Sequence, residues 1–185
     1  MHVRRVVTGH DASGKSVFVS DGEVAPIQPM LMPTAEFHRL WGGDAPARFP
    51  GDGTEPAQAT YFPPIGGFRF GLFSIPPDNE ERPGDIDIPA ALADMEEGMP
   101  GMLRYMDPSD PGMHTTDTVD IGIVMSGTIE IVQGNGERVR LRHGDVYVQN
   151  GAEHSWHNDT GEPFIICFVF LGVHRAEGTV KRLTS

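Results

Sequence analysis

The chain holds a single cysteine, Cys167, among 185 residues, so no internal disulfide can staple it and dithiol redox chemistry is excluded. Cys167 lies inside the run FIICFVF, where a thiol serves as a small apolar filler. Long apolar stretches are missing as well. None approaches the ~18 residues of a membrane span, and the basic start MHVRRVVTGHDASGK has no apolar core of the signal-peptide kind. The expectation is a cytoplasmic protein. Positive charge is scarce, with 14 Lys and Arg against 26 Asp and Glu and a formal net charge of -12. Such a surface repels phosphate backbones and anionic lipid, which speaks against nucleic acid and membranes as partners. There is no GxSxG elbow, no GxGxxG and no CxxC, so the serine-hydrolase, dinucleotide and dithiol classes find no support.

Glycine and proline are abundant instead, 23 and 16 residues, about a fifth of the chain and still below the level at which disorder is the default. Turn-rich β structure in one domain fits this length and composition. RRVVTGH and KSVFVSD are β-branched runs separated by Asp11-Ala12-Ser13-Gly14, which reads as a hairpin that pairs with the barrel or a second subunit. From Gly22 to Gly67 prolines and glycines dominate, with FHRLW at 37 to 41 as the one strand-like island, and the reading is an ordered arm wrapping the core. FRFGLFSIP (68 to 76) is a strand, and Ala90 to Glu97 is the one helix, started by Asp87 and Pro89. From Val119 onward short strands recur at regular spacing: DIGIVMSG, TIEIVQ, RVRLR, VYVQ, HSWHN and PFIICFVFL. That pattern predicts an all-β sandwich or barrel.

Against this background His114-Thr115-Thr116, Asp120 and Gly127, then Gly144-Asp145, Gly151, His154 and Asn158 resemble the two signature motifs of cupins over residues 112 to 172. The resemblance implies an antiparallel jelly-roll barrel, residues 68–185, preceded by the hairpin and arm of residues 1–67 in the same domain. Spacing matches better than identity. Thr116 stands in the place of a second histidine, Asp120 where glutamate is usual, and Gln149 where proline is common.

Side chains alternate across a strand, so His114, Thr116, Thr118 and Asp120 would share the inner face, as would His154, Trp156 and Asn158. As the resemblance implies, His114, His154 and Asp120 are candidate ligands of one divalent transition metal, iron, manganese, zinc or nickel. The site without a metal is the alternative, with His114 or His154 paired to Asp120 as general acid or base. In either case His114, Asp120 and His154 are the catalytic candidates, and Thr116, Gln149 and Trp156 the substrate-contacting ones. Trp156 reads equally as core. His143, His157 and Asp117 read as surface residues, Arg69, Arg138, Arg140 and Arg142 as a solvated strand face, and the methionines from Met95 to Met113 as gap-fillers.

Three functions stay open: a metal-dependent enzyme, an oxidoreductase or a lyase, on a small oxygenated or carboxylated molecule; a metal-free cyclase, dehydratase or isomerase; and a non-catalytic ligand-binding protein. PFIICFVF has apolar residues on both strand faces, which predicts a homodimer covering the outer one.

Overall fold

The computed structural model describes residues 1–79, 84, 86–107, 109–110 and 112–176; residues 177–185 of the expected barrel region lie outside them. The chain runs β1 (Arg4–His10), β2 (Ser16–Glu23), β3 (Glu36–Gly43), β4 (Phe68–Ile75), α1 (Ile88–Gly98), β5 (Thr118–Ser126), β6 (Thr128–Gln133), β7 (Arg138–Arg142), β8 (Val146–Gln149), β9 (His154–His157) and β10 (Phe164–Gly172). All strand pairs are antiparallel. The antiparallel jelly-roll expectation holds. One sheet has the order β3-β4-β10-β5-β8 and faces a smaller one, β7-β6-β9. Val124, Phe164 and Ile166 from the first share a core with Ile129, Ile131 and Leu141 from the second.

Two expectations need correction. β1 and β2 form the hairpin read from the sequence, but they make a two-stranded sheet of their own and extend neither barrel sheet. The hairpin is tied to the arm by Arg5, whose Nη1 donates to the Leu40 carbonyl and to Glu55, and by the His10 N–H on the Gly51 carbonyl. Moreover, the arm supplies β3, which pairs with β4, so the sheet begins well before Phe68. FHRLW alternates too irregularly to advertise this, since the register shifts between Arg39 and Trp41.

Gly9 to Ser16, GHDASGKS, matches the phosphate-cradling pattern GxxxxGK[ST] letter for letter. The fold removes that meaning. The segment is the turn between β1 and β2, with no helix after it, and the Asp11 carboxylate occupies the Ser13 and Lys15 N–H groups that would face a phosphate.

Helix α1 starts where its caps predict. The Asp87 carboxylate accepts from the Ala90 N–H, and proline stands in the first turn. It buries Ala91 and Met95. Met95 and Met99 join Ala35, Phe37, Tyr61, Phe62, Phe168 and Phe170 in a second core cluster, so arm and helix together cap one end of the barrel and the methionines fill the irregular gap. Arg138 and Arg140 are exposed and pair with Glu130 and Asp159, as a solvated face would. Arg69 does not follow: only 4 % of it is exposed.

Candidate active site

Strand β5 is buried on one side at Thr118, Gly122 and Val124 and exposed on the other at Ile121, Ile123 and Met125. Asp120 belongs to the inner series by alternation. Register sets Asp120 opposite Gln149 and Gly122 opposite Tyr147, so β8 brings an amide and a phenol beside the carboxylate. β9 opens with His154, which bridges His114: each backbone N–H donates to the other's carbonyl at 3.0 Å. Their rings lie with centroids 4.2 Å apart. The structure thus unites two residues forty positions apart that the sequence singles out.

Hydrogen bonding distinguishes the two imidazoles. His114 Nδ1 lies 3.0 Å from the Gly112 carbonyl; a carbonyl only accepts, so Nδ1 carries the proton and Nε2 keeps a lone pair. For His154, the Gln149 amide nitrogen donates to the Ala152 carbonyl at 2.7 Å and meets Nδ1 at 2.7 Å. Nδ1 also lies 2.9 Å from the Ala152 carbonyl, which likewise only accepts.

Burial first, then the neighbouring His114, pushes His154 down to about 3, and burial lowers His114 despite the Gly112 hydrogen bond. Both are neutral at pH 7. Asp120 moves oppositely. Burial pushes its carboxyl up to about 7, against the smaller pull of the Thr118 hydroxyl. Tyr147 is pushed up to about 12, again chiefly by burial. Among the described residues, Asp120 Oδ1 and the Tyr147 hydroxyl are buried polar atoms without a hydrogen-bond partner. The neighbouring Gln133 side chain pulls the Tyr147 pKa down by hydrogen bonding, less than burial raises it, although the contact misses the geometry that would give the hydroxyl a full partner. Two such orphans beside each other are costly, on the order of 1–3 kcal/mol each, and are the mark of a site kept for something other than packing.

The remaining candidates fall around this centre. Thr116 is fully buried and its hydroxyl accepts from Thr118 at 2.8 Å. Trp156 packs edge-on against Tyr147 and Phe73 at 5.5 and 5.8 Å and stands 6.1 Å from His154, so it is both core and wall. Asn158 turns away and ties the Ile75 and Glu162 carbonyls. His143 and His157 are exposed, as expected. Asp117 instead pairs with Arg175, which also donates to the Thr116 and Gly151 carbonyls. This clamp behind the histidines links residues far apart in the chain, and no local pattern signals it. Nor does any motif mark Tyr147, which only register brings to Asp120.

A resident transition metal does not fit this donor set. Among the described residues no three His, Cys, Asp or Glu side chains form a group that could hold an ion. The expected third ligand, Asp120, stays beside Gln149 with its shorter arm. Thr116 is engaged with Thr118, and the two imidazoles that remain fall short of the three or four ligands such an ion takes.

A family model described as Cupin domain matches residues 103–170. Phomopsin biosynthesis cluster protein C' of Diaporthe leptostromiformis is 31% identical over 158 residues, covering 83% of this chain and 69% of that protein. The cupin-domain-containing oxidoreductase virC of Hypocrea virens is 27% identical over 163 residues, 85% of this chain and 68% of that protein. The crystal structure of a Cupin 2 conserved barrel domain protein from Salinispora arenicola is similar at 17% identity and a TM-score of 0.38, covering 76% of this chain and 78% of that one. Among the described residues no helix is long and apolar enough to cross a membrane.

Proposed function

Since the chain belongs to the cupin superfamily, whose barrels host unrelated chemistries, we propose that this member is an enzyme of acid–base type acting on a small oxygenated or carboxylated molecule. The observation that carries the reading is the orphaned pair inside the barrel, Asp120 Oδ1 and the Tyr147 hydroxyl. A carboxyl with a pKa of about 7 is poised to take and return a proton at neutral pH. In this reading Asp120 removes a proton from carbon next to a carbonyl, and the electron pair moves onto the carbonyl oxygen. Tyr147 O–H donates a hydrogen bond to that oxygen. Return of the proton to a different atom gives an isomer, and expulsion of a β-hydroxyl, which leaves as water on taking up a proton, gives a lyase; with a 3-oxo acid the carboxylate leaves as carbon dioxide in place of the proton, its electron pair moves onto the carbonyl oxygen, and the protonated Asp120 carboxyl returns a proton to the carbon.

His114 and His154 stay neutral and line the space as polar groups, with Gln149 against His154 Nδ1. Trp156 and Phe73 wall the space. The relative in Hypocrea virens is named an oxidoreductase, which supports catalysis on a small molecule.

The test is deuterium wash-in followed by proton NMR with a panel of 2-oxo acids, 3-oxo acids and enolisable ketones. Wild type is expected to accelerate exchange of at least one, and Asp120→Asn to abolish it while leaving the bound-state spectrum. Saturable binding with no exchange or product by any panel member would instead make the chain a non-catalytic binding protein.

A further inference from the structure

His114 is held in place by little of its own. It lies outside strands β1 to β10, β5 beginning only at Thr118. Isolated bridges to Met106 on one side and to His154 on the other fix it, the second through the paired 3.0 Å backbone hydrogen bonds. An antiparallel ladder running two residues further would pair Thr116 with Ala152. Among the described residues it stops short of that rung: the Ala152 carbonyl accepts from Gln149 Nε2, and Gly151 turns the chain away at φ 61°.

The gap is filled by the segment that follows β10. Arg175 Nη2 donates to the Thr116 carbonyl and, at 2.9 Å, to the Gly151 carbonyl, while Nε donates to the Asp117 carboxylate. The Val173 N–H donates to the Asp117 carbonyl at 3.0 Å and fixes the tail beside the same residues. Thr116 stands two positions after His114 and Gly151 three before His154. One guanidinium therefore replaces the missing rung between the two chain segments that carry the imidazoles. Its surroundings suit a guanidinium in particular. A Cβ on Gly151 would stand 2.8 Å from Nη2, so glycine leaves the space the side chain occupies. Asp117 neutralises the charge at a partly buried position, and a planar fork with fixed donor directions reaches two carbonyls and a carboxylate at once, which a point-like ammonium does not.

We propose that Arg175 is a positioning residue of the candidate active site, which sets the distance and tilt of the His114 ring against the His154 ring by tying Thr116 to Gly151 and touches no substrate itself. The tail beyond β10 is then a working part of the site, although it lies outside the barrel strands. The inference rests on the acid–base reading only for its effect on turnover. The alignment of the two rings is a claim about the fold and stands or falls separately.

The test follows the histidine ring signals by carbon-13 NMR, since rings with centroids 4.2 Å apart shift one another's resonances. Arg175→Ala is expected to move the His114 and His154 ring signals while those of the exposed His143 and His157 stay, with the melting temperature as the control for folding. Methylguanidinium, added to the variant as a replacement for the lost side chain, should bring both signals back saturably. Deuterium exchange should fall at least about ten-fold in Arg175→Ala, as misplacement of a site by a fraction of an ångström requires, and recover with methylguanidinium. If Arg175→Ala fails to fold, Asp117→Ala carries the test, because it takes the carboxylate from the guanidinium and should move the same two ring signals. Unmoved His114 and His154 signals in the folded variant, equal movement at His143 and His157, or signals that methylguanidinium leaves displaced overturn the proposal. Ring signals that move and recover in a protein whose wild type exchanges no panel member sink the acid–base reading alone. Exchange by wild type with undisturbed ring signals in the variant sinks this one alone.

Discussion

Replacing Asp120 by asparagine should stabilise the protein, and more so as pH rises. The carboxyl ionises near 3.8 in an unfolded chain and at about 7 in the fold, so between those values the native state holds the extra proton. Raised in this direction, the group's stabilising contribution is complete below the unfolded value and is lost as pH climbs through the folded one. From pH 5 to pH 8 the carboxyl crosses about two units of that span, equivalent to roughly 3 kcal/mol at about 1.4 kcal/mol per unit. Asparagine has no such loss. At roughly 2–4 °C per kcal/mol for a chain of this size, the variant's advantage in melting temperature should be several degrees larger at pH 8 than at pH 5. Scanning calorimetry of both proteins at the two pH values measures this as a double difference, which cancels every other titrating group they share. An advantage that is equal at both pH values, or smaller at pH 8, would refute the buried, poorly solvated carboxyl on which the proposed chemistry rests.

His154→Gln and His114→Gln should each keep the wild-type unfolding free energy at pH 7.5 to within about 1 kcal/mol, as expected of polar residues kept for function, while exchange activity falls; a larger loss of stability makes the histidines structural. His154 is depressed to about 3, so its contribution is present above its ordinary 6.5 and is lost as pH falls through 3; His154→Gln should accordingly flatten the acid limb of the stability profile. Gly151 adopts φ 61°, and a Cβ there would stand 2.8 Å from Arg175 Nη2 and 2.9 Å from the Thr116 oxygen; Gly151→Ala should cost about 1–3 kcal/mol in urea unfolding and loosen the clamp behind the histidines. On the outer face of β5 and β8, Ile121, Ile123, Val146 and Val148 are 43%, 43%, 65% and 52% exposed, and a homodimer covering them should give about twice 20.2 kDa by light scattering, with Ile123→Glu shifting it to monomer. Protein purified without a histidine tag should keep its activity and melting temperature through chelator treatment, since the donor set suits no resident metal; loss of either on chelation, restored by one divalent ion, would overturn that.

Local pattern determined a good deal of this molecule. Period-two alternation, the β-branched runs and the turn glycines placed nearly every strand from β4 onward, because a half-buried strand must repeat every second residue. Asp87 and Pro89 placed the helix start, because capping is a property of a few neighbouring residues. The resemblance to the two cupin motifs singled out His114 and His154. Other features were illegible for one shared reason: they depend on which strand lies beside which. β3 hides in the proline-rich arm because its bulge breaks the alternation. Arg69 reads as solvated because arginine usually is, yet it is buried where Asp44 and three backbone carbonyls engage its donors. Tyr147 meets Asp120 and Arg175 clasps Asp117 only once register is set. Composition and periodicity act within a few residues, so the sequence by itself could name the strands and two histidines, while cross-strand register, a property of the assembled sheet, decided which polar groups would be buried together without partners.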